Sequence, residues 1–243
     1  MPAGDPNISM RSDVTVELVK SSASDADVLF AARVSTLGEQ SLEELQKDPE
    51  RSKGLINYLM RDRHGSPFEH NSMTFFISAP IFVFREFMRH RVGWSYNEES
   101  GRYRELEPVF YVPDDSRKLV QEGRPGKYVF VEGTEDQQKL VGRTMEESYV
   151  QAYEAYQEML AAGVAREVAR AVLPVGLFSS MYATCNARSL MHFLGLRTQH
   201  ELAKVPSFPQ REIEMVGEKM EAEWMKLMPL THAAFNANGR VAP

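Results

Sequence analysis

Cys185 is the only cysteine in 243 residues. An intrachain disulfide and a cysteine-rich zinc site are therefore excluded, and a reducing compartment fits. No apolar run approaches the roughly 18 residues a membrane span needs. The opening MPAGDPNISMRSD has no apolar signal core. A cytoplasmic protein with no membrane partner is expected. Basic charge is in deficit: 28 Lys and Arg face 34 Asp and Glu, for a net −6. That argues against nucleic acid held by bulk charge. A Walker A loop, a Gly-x-Gly-x-x-Gly fingerprint and a Gly-x-Ser-x-Gly elbow are all missing. His64, His90 and His192 lack the close spacing of a zinc motif, so no metal is expected. Neither a repeat nor a linker long enough to separate two domains is present.

Against this acidic background one stretch stands out, RHRVGWSYNEESGRYRE, Arg89 to Glu105. It places Arg89, His90, Arg91, Arg102 and Arg104 among Ser95, Asn97, Ser100 and Tyr103, with Glu98 and Glu99. From Arg85 to Arg104 five Arg face three Glu, so the segment is locally positive. Neither an amphipathic helix nor a half-buried strand requires this composition. A basic, hydroxyl-rich loop suits a small anion, most simply a phosphate, because guanidinium forks match phosphate oxygens. The plain alternative is a surface loop with solvated charges.

The hydropathy pattern is mixed. Val14–Val19 alternates as a strand, and Asp27–Arg33, opened by Ser24 or Asp25, reads as a helix. Ser41 and Glu44 form a capping-box pattern before an acidic amphipathic segment, Ser41–Gln46. Leu55–Met60 has helical spacing and stops at Gly65-Ser66-Pro67. Ser72–Ser78 alternates as a strand. Pro80 then opens a helix over Ile81–Arg91. Glu107–Asp114 reads as extended, and Asp115–Gly133, rich in Gly and charge, as the least ordered part. A helix from Thr134 to Gly163 carries Met145, Tyr149, Tyr153, Tyr156 and Leu160 at three- to four-residue spacing. Helix Ala165–Leu173, an apolar extended run Leu177–Thr184, and helices Asn186–Arg197 and Pro209–Leu227 follow. Residues 1–13 and 229–243 read as tails, leaving 14–228 as the folded domain.

Several polar positions have two readings. Glu167 and Arg170 share a helix face, as a solvated ion pair would. Arg188 and His192 lie four apart, so one helix face presents a cation and an imidazole, with Arg197 at the helix end. A histidine so placed is structural in the plainer reading. His64 and Ser66 flank Gly65, where a ligand can approach the backbone closely. Ser100 has no neighbouring histidine to act as its base, which leaves it a weak nucleophile. Cys185 lies in an apolar run and reads as a buried, inert thiol.

Arg89-His90-Arg91, eight residues, then Ser100-Gly101-Arg102-Tyr103 resembles the signature of the flavin-dependent thymidylate synthases, the ThyX family. The likeness includes Ala31–Ser35, His64–His70, Ala79–Phe82, Arg166–Arg170 with Leu173-Pro174, and Asn186–Leu190 with Arg197. The eight-residue spacing, where many members have seven, is a departure. Glu86 and His192 depart too, where relatives carry Gln and Asn. The resemblance implies an α+β subunit, helices packed on a small, mostly antiparallel sheet, in a homotetramer with shared active sites. It implies methylation of dUMP to dTMP, with 5,10-methylenetetrahydrofolate as carbon donor, FAD reduced by NADPH, and no covalent protein nucleophile. By the same resemblance Glu86, Arg89, Glu98, Ser100, Gly101, Arg102, Arg170 and Arg197 would bind dUMP. FAD would be held by Ser35, His64, Ser66, Arg89, His90, Arg91, Glu98, Asn186, Arg188, His192 and Leu196. Arg197 would favour the ionised uracil and so activate C5. An RNA uracil methyltransferase and a non-catalytic nucleotide sensor are the competing readings.

Overall fold

A computed structural model describes residues 8–38, 49–124 and 127–243. In chain order its elements are β1 (Ser9–Arg11), β2 (Thr15–Ser22), α1 (Asp25–Leu37), α2 (Pro49–Arg61), a 3-10 turn (Ser66–Glu69), β3 (Ser72–Pro80), α3 (Ile81–Phe87), β4 (Trp94–Glu98) and β5 (Val109–Tyr111). Then come β6 (Val120–Arg124), β7 (Lys127–Val131), α4 (Glu135–Ala161), α5 (Arg166–Ala169), a 3-10 turn (Arg170–Val172), β8 (Phe178–Cys185), α6 (Ala187–Arg197), α7 (Arg211–Leu227) and α8 (Pro229–Ala237). The expected mixed α+β class is what the chain adopts. Four strands form one sheet in the order β2-β3-β8-β4, and two small two-stranded sheets pair β1 with β5 and β6 with β7. The expected Ser41–Gln46 segment lies outside the described residues.

The chain gathers into two compact units, and four of their five boundaries fall inside β3, α3, β4 and β8. The first comprises the chain up to Val14 with Ser78–Arg85 and Glu98–Ser180. Its core is Leu106, Phe110, Tyr149, Tyr153, Tyr156, Ala169 and Leu177. The three tyrosines recur at helical spacing along α4 and bury one stripe of it. Phe110 stacks on Tyr149, with centroids 4.7 Å apart. Thr134 caps α4, its Oγ1 accepting from Gln137 N while Gln137 Oε1 accepts from Thr134 N.

The second unit comprises Thr15–Ile77, Glu86–Asn97 and Met181–Pro243. Alternation in β3 drives Met73, Phe75 and Ile77 fully inside. α6 packs on α7, α7 on β2, and α8 on α2. Trp224, Phe193 and Phe235 are completely buried. Cys185 ends β8 and is buried, and that burial pushes its thiol pKa up.

Four expectations need correction. The helix from Ile81 ends at Phe87, not Arg91. There the bonding shortens to three-residue turns, Arg89 N to Glu86 O and His90 N to Phe87 O. Trp94–Glu98, read as loop, is a strand: Trp94 and Tyr96 turn partly inward while Ser95 and Asn97 face water. The least ordered segment, Asp115–Gly133, holds the antiparallel β6–β7 hairpin, in register from Val120↔Val131 to Arg124↔Lys127. Both tails are also structured where described. Ser9–Arg11 pairs in parallel with Val109–Tyr111. Pro229–Ala237 is α8, started by Pro at its first position and capped by Asp25, which accepts from Leu230 N, Thr231 N and Thr231 Oγ1 at 2.6–2.9 Å. A cap supplied from the far end of the chain leaves no local sequence signal.

Candidate active site

Within the second unit the chain after α3 turns tightly at Arg89–Gly93. Phe87 is the pivot, 4.5 Å from Phe193 and 5.3 Å from Trp94 between ring centroids. Tyr96 Oη donates to His90 O at 2.6 Å and locks the turn to β4. Gly93 takes φ +70°, and a Cβ there would strike Ser189 Oγ. Ser189 Oγ instead donates to Val92 O at 3.0 Å. The loop is therefore tied to the start of α6.

At the other end of α6 stands Arg197. Its Nη1 donates to Glu86 Oε2 at 2.8 Å and its Nε to His90 Nε2 at 3.1 Å. Burial and the Arg197 charge lower the His90 pKa to about 4, so its ring is neutral at pH 7. A neutral ring can accept from Arg197, which a protonated one cannot. Arg197 also lies in the last turn of α6, where the helix field favours a cation. Nη2 of Arg197 has no hydrogen-bond partner among the described residues.

A second cluster forms at the start of α6. Arg188 occupies the first turn, where that field opposes a cation by about 0.3–1 kcal/mol. It donates to Glu69 Oε1 and to Pro243 O, both at 2.6 Å. Its guanidinium lies across Gly65, and a Cβ there would come within 2.5 Å of its central carbon. Thus His64-Gly65-Ser66 and Arg188 are brought together. Desolvation first, then the Arg188 and Arg63 charges, lower the His192 pKa. His192 is solvent-exposed as a residue, so this effect is modest. Arg63 has φ +65° and donates to Val241 O and Ala242 O at 2.8 and 2.9 Å. Asn186 caps α6, its Oδ1 accepting from Ser189 N at 2.9 Å. Arg89 and Arg91 are exposed, with no ion pair among the described residues. Leu196 is exposed. Ser35 is exposed on α1, its Oγ donating to Ala32 O at 3.3 Å, and it hydrogen-bonds none of these groups among the described residues.

The first unit carries Glu98, Ser100, Gly101, Arg102 and Arg170. Ser100 opens a turn: its O accepts from Tyr103 N and Arg104 N, and its Oγ accepts from Arg102 N at 3.3 Å. A Cβ on Gly101 would press on Leu106 Cδ1 at 2.8 Å and Arg170 Cδ at 3.2 Å, so Arg170 lies against this turn. Desolvation raises the Glu98 pKa, partly offset by a 2.8 Å hydrogen bond from Ser179 Oγ and by Arg170. Glu98 stays solvent-exposed as a residue, which keeps the shift small. Arg102 Nε donates to Glu167 Oε2 at 3.1 Å, both side chains being half exposed. Glu167 therefore pairs with Arg102 rather than with Arg170. Sequence reasoning missed Ser179, Glu69 and Arg63. Ser179 is hidden in an apolar run, Glu69 lies in the His64–His70 stretch without a role assigned to it, and Arg63 carries no local signal.

The family described as "Thymidylate synthase complementing protein" matches residues 17–230. A flavin-dependent thymidylate synthase from Streptomyces avermitilis is 90% identical over 242 residues, covering 100% of this chain and 98% of that protein. The chain belongs to the flavin-dependent thymidylate synthases. A second family member, from Streptomyces coelicolor, is 87% identical over 243 residues, 100% of this chain and 99% of that protein. A crystal structure of the UMP/dUMP methylase PolB from Streptomyces cacaoi, bound with 5-Br UMP, superposes with TM-score 0.90 at 58% identity, covering 98% of this chain and 100% of that one.

Family membership brings FAD as the cofactor. The residues fit it. Arg188, at the start of α6 and across Gly65, is a cation at a helix N-terminus, a position suited to an anionic ligand. His64 precedes Gly65, and His192 lies close enough to Arg188 to feel its charge.

Proposed function

We propose that this flavin-dependent thymidylate synthase methylates C5 of dUMP to give dTMP, with 5,10-methylenetetrahydrofolate as carbon donor and NADPH as reductant. The observation that carries the reading is the Arg197–Glu86–His90 triplet. Two acceptors of a neutral imidazole and a carboxylate fix Nε and Nη1, so the guanidinium presents Nη2 in one orientation. A preorganised donor of this kind stabilises negative charge on the uracil carbonyls as it develops, and so raises electron density at C5. No nucleophile is required. Ser100 Oγ accepts from a backbone N–H, and no histidine hydrogen-bonds it among the described residues. Its role is to bind the nucleotide, together with Glu86, Arg89, Glu98, Gly101, Arg102 and Arg170.

Arg102 suits phosphate because its bond to Glu167 is an exposed pair worth about 0–1 kcal/mol and is readily exchanged. Bound FAD supplies hydride chemistry and contact with the one-carbon unit. The protein's share is to hold it, through His64, Ser66, His90, Arg91, Asn186, Arg188, His192 and Leu196, with Ser35, Arg89 and Glu98 as further contacts. We further propose a cytoplasmic homotetramer in which neighbouring subunits complete each site.

The test is spectral and isotopic. The purified protein should be yellow, bleach with NADPH, and release tritium from [5-3H]dUMP when folate is present. A protein that stays colourless after incubation with FAD would refute the reading. The PolB likeness favours UMP as a second substrate. Parallel turnover of UMP and dUMP decides between them, and dUMP should be preferred.

A further inference from the structure

Arg240 is the one buried basic residue of the second unit among the described residues, 3% exposed and at φ +54°. Both of its terminal nitrogens are fully engaged. Nη1 donates to Glu221 Oε1 at 2.6 Å and Asn236 Oδ1 at 2.7 Å; Nη2 donates to Glu221 Oε2 at 2.7 Å and Thr198 Oγ1 at 3.0 Å. Its carbon lies 4.9 Å from the Phe235 ring centroid. Glu221 also meets His232 Nε2 at 2.9 Å. Glu221 neutralises the charge, and Glu221 with Asn236 takes three of the terminal N–H groups. The fourth bond, to Thr198, goes to the residue that follows Arg197.

Thr198 is where α6 ends, and it is held on every side. Its Oγ1 donates to Leu194 O at 2.8 Å, so Arg240 supplies the hydrogen its lone pair accepts. Its O accepts from Ser207 Oγ at 2.5 Å, and the next amide, Gln199 N, donates to Glu214 Oε1 at 2.8 Å. Gly217 makes room, since a Cβ there would lie 2.7 Å from Thr198 Cγ2. Gly195, one turn back, faces Arg240 O, which a Cβ would approach to 3.0 Å. The helix end is thus clamped between α7 and the Arg240 segment, and Arg197 leaves the clamp directly toward Glu86 and His90.

We infer that Arg240, acting through the Thr198 hydroxyl, is the positioning residue that sets the reach of Arg197. This rests on the reading of Arg197 as the group that activates uracil. A displacement of about 1 Å at such a group costs on the order of 100-fold in rate. Thr198→Val tests the link, because it keeps shape and leaves the Arg240–Glu221 pair intact. We expect FAD binding close to wild type, a thermal midpoint lowered by a few degrees because a buried Arg240 N–H loses its acceptor, and kcat for C5 tritium release reduced about 10- to 100-fold. Thr198→Ser, which restores the hydroxyl, should recover activity to within about 3-fold. On an Arg197→Lys background the Thr198→Val change should cost less than about 3-fold, because the group it positions is already altered. Wild-type kcat in Thr198→Val, or a full additional loss on the Arg197→Lys background, overturns the proposal. Should Thr198→Val not fold, Arg240→Lys replaces it, with the same loss of kcat expected and unchanged kcat decisive against. If Arg197→Lys and Arg197→Ala both turn over normally, it is the role of Arg197 that fails instead.

Discussion

At the residue scale, Arg197 and Ser100 separate two views of the chemistry. Arg197→Ala should keep its flavin spectrum and lose at least about 100-fold in dTMP formation, since a preorganised donor to developing charge is worth about 2.7–4 kcal/mol. Ser100→Ala should weaken dUMP binding about 10-fold by titration and retain measurable kcat; loss of all chemistry with dUMP still bound would restore the nucleophile. His90 adds a pH signature. It titrates near 4 in the fold and near 6.5 when unfolded. Between those values the unfolded chain binds more protons. The stability it contributes is therefore complete above about pH 6.5 and is lost as pH falls toward 4. His192, also lowered, adds slope of the same sign. Urea midpoints at pH 7.5, 6 and 5 should fall in that order, and less steeply in His90→Gln.

At the element scale, legibility followed locality. Helices with a repeating apolar stripe, such as α4, and strands with clean alternation, such as β3, can be read from their own residues. β4 could not. Its alternation of Trp94 and Tyr96 with Ser95 and Asn97 is real, but it is short, flanked by Arg and Glu, and lies at the edge of its sheet. The β6–β7 hairpin escaped because the Gly, Pro and charge within Asp115–Gly133 read as an open loop. Site residues carried by a motif, such as Arg89-His90-Arg91, are visible, whereas Ser179, which donates to Glu98, and Glu69, which accepts from Arg188, come from other elements. Gly65 tests an element junction. Gly65→Ala should push the Arg188 guanidinium from the 3-10 turn and weaken FAD binding about 10-fold by fluorescence titration, with the far-ultraviolet spectrum unchanged. Equal affinity would remove Arg188 from the flavin site.

At the scale of the whole molecule, the second unit is closed by contacts between its sequence extremes. Asp25 opens α1 and caps α8, about two hundred residues on. Asp25→Ala should cost about 1–2 kcal/mol in urea unfolding, the usual worth of a lost helix cap, while kcat is unchanged. A loss under about 0.3 kcal/mol would mean α8 holds without it. Among the described residues no helix is long and apolar enough to cross a membrane.

The burial of Cys185 has a practical consequence for experiments. A thiol sealed at the end of β8, with its ionisation suppressed, is silent to maleimide dyes in the folded protein. The native chain should take up almost no label, and about one equivalent after denaturation. It can therefore serve as its own labelling background. A cysteine placed at Val92, 90% exposed in the loop beside His90, would carry a fluorophore there with Cys185 left in place.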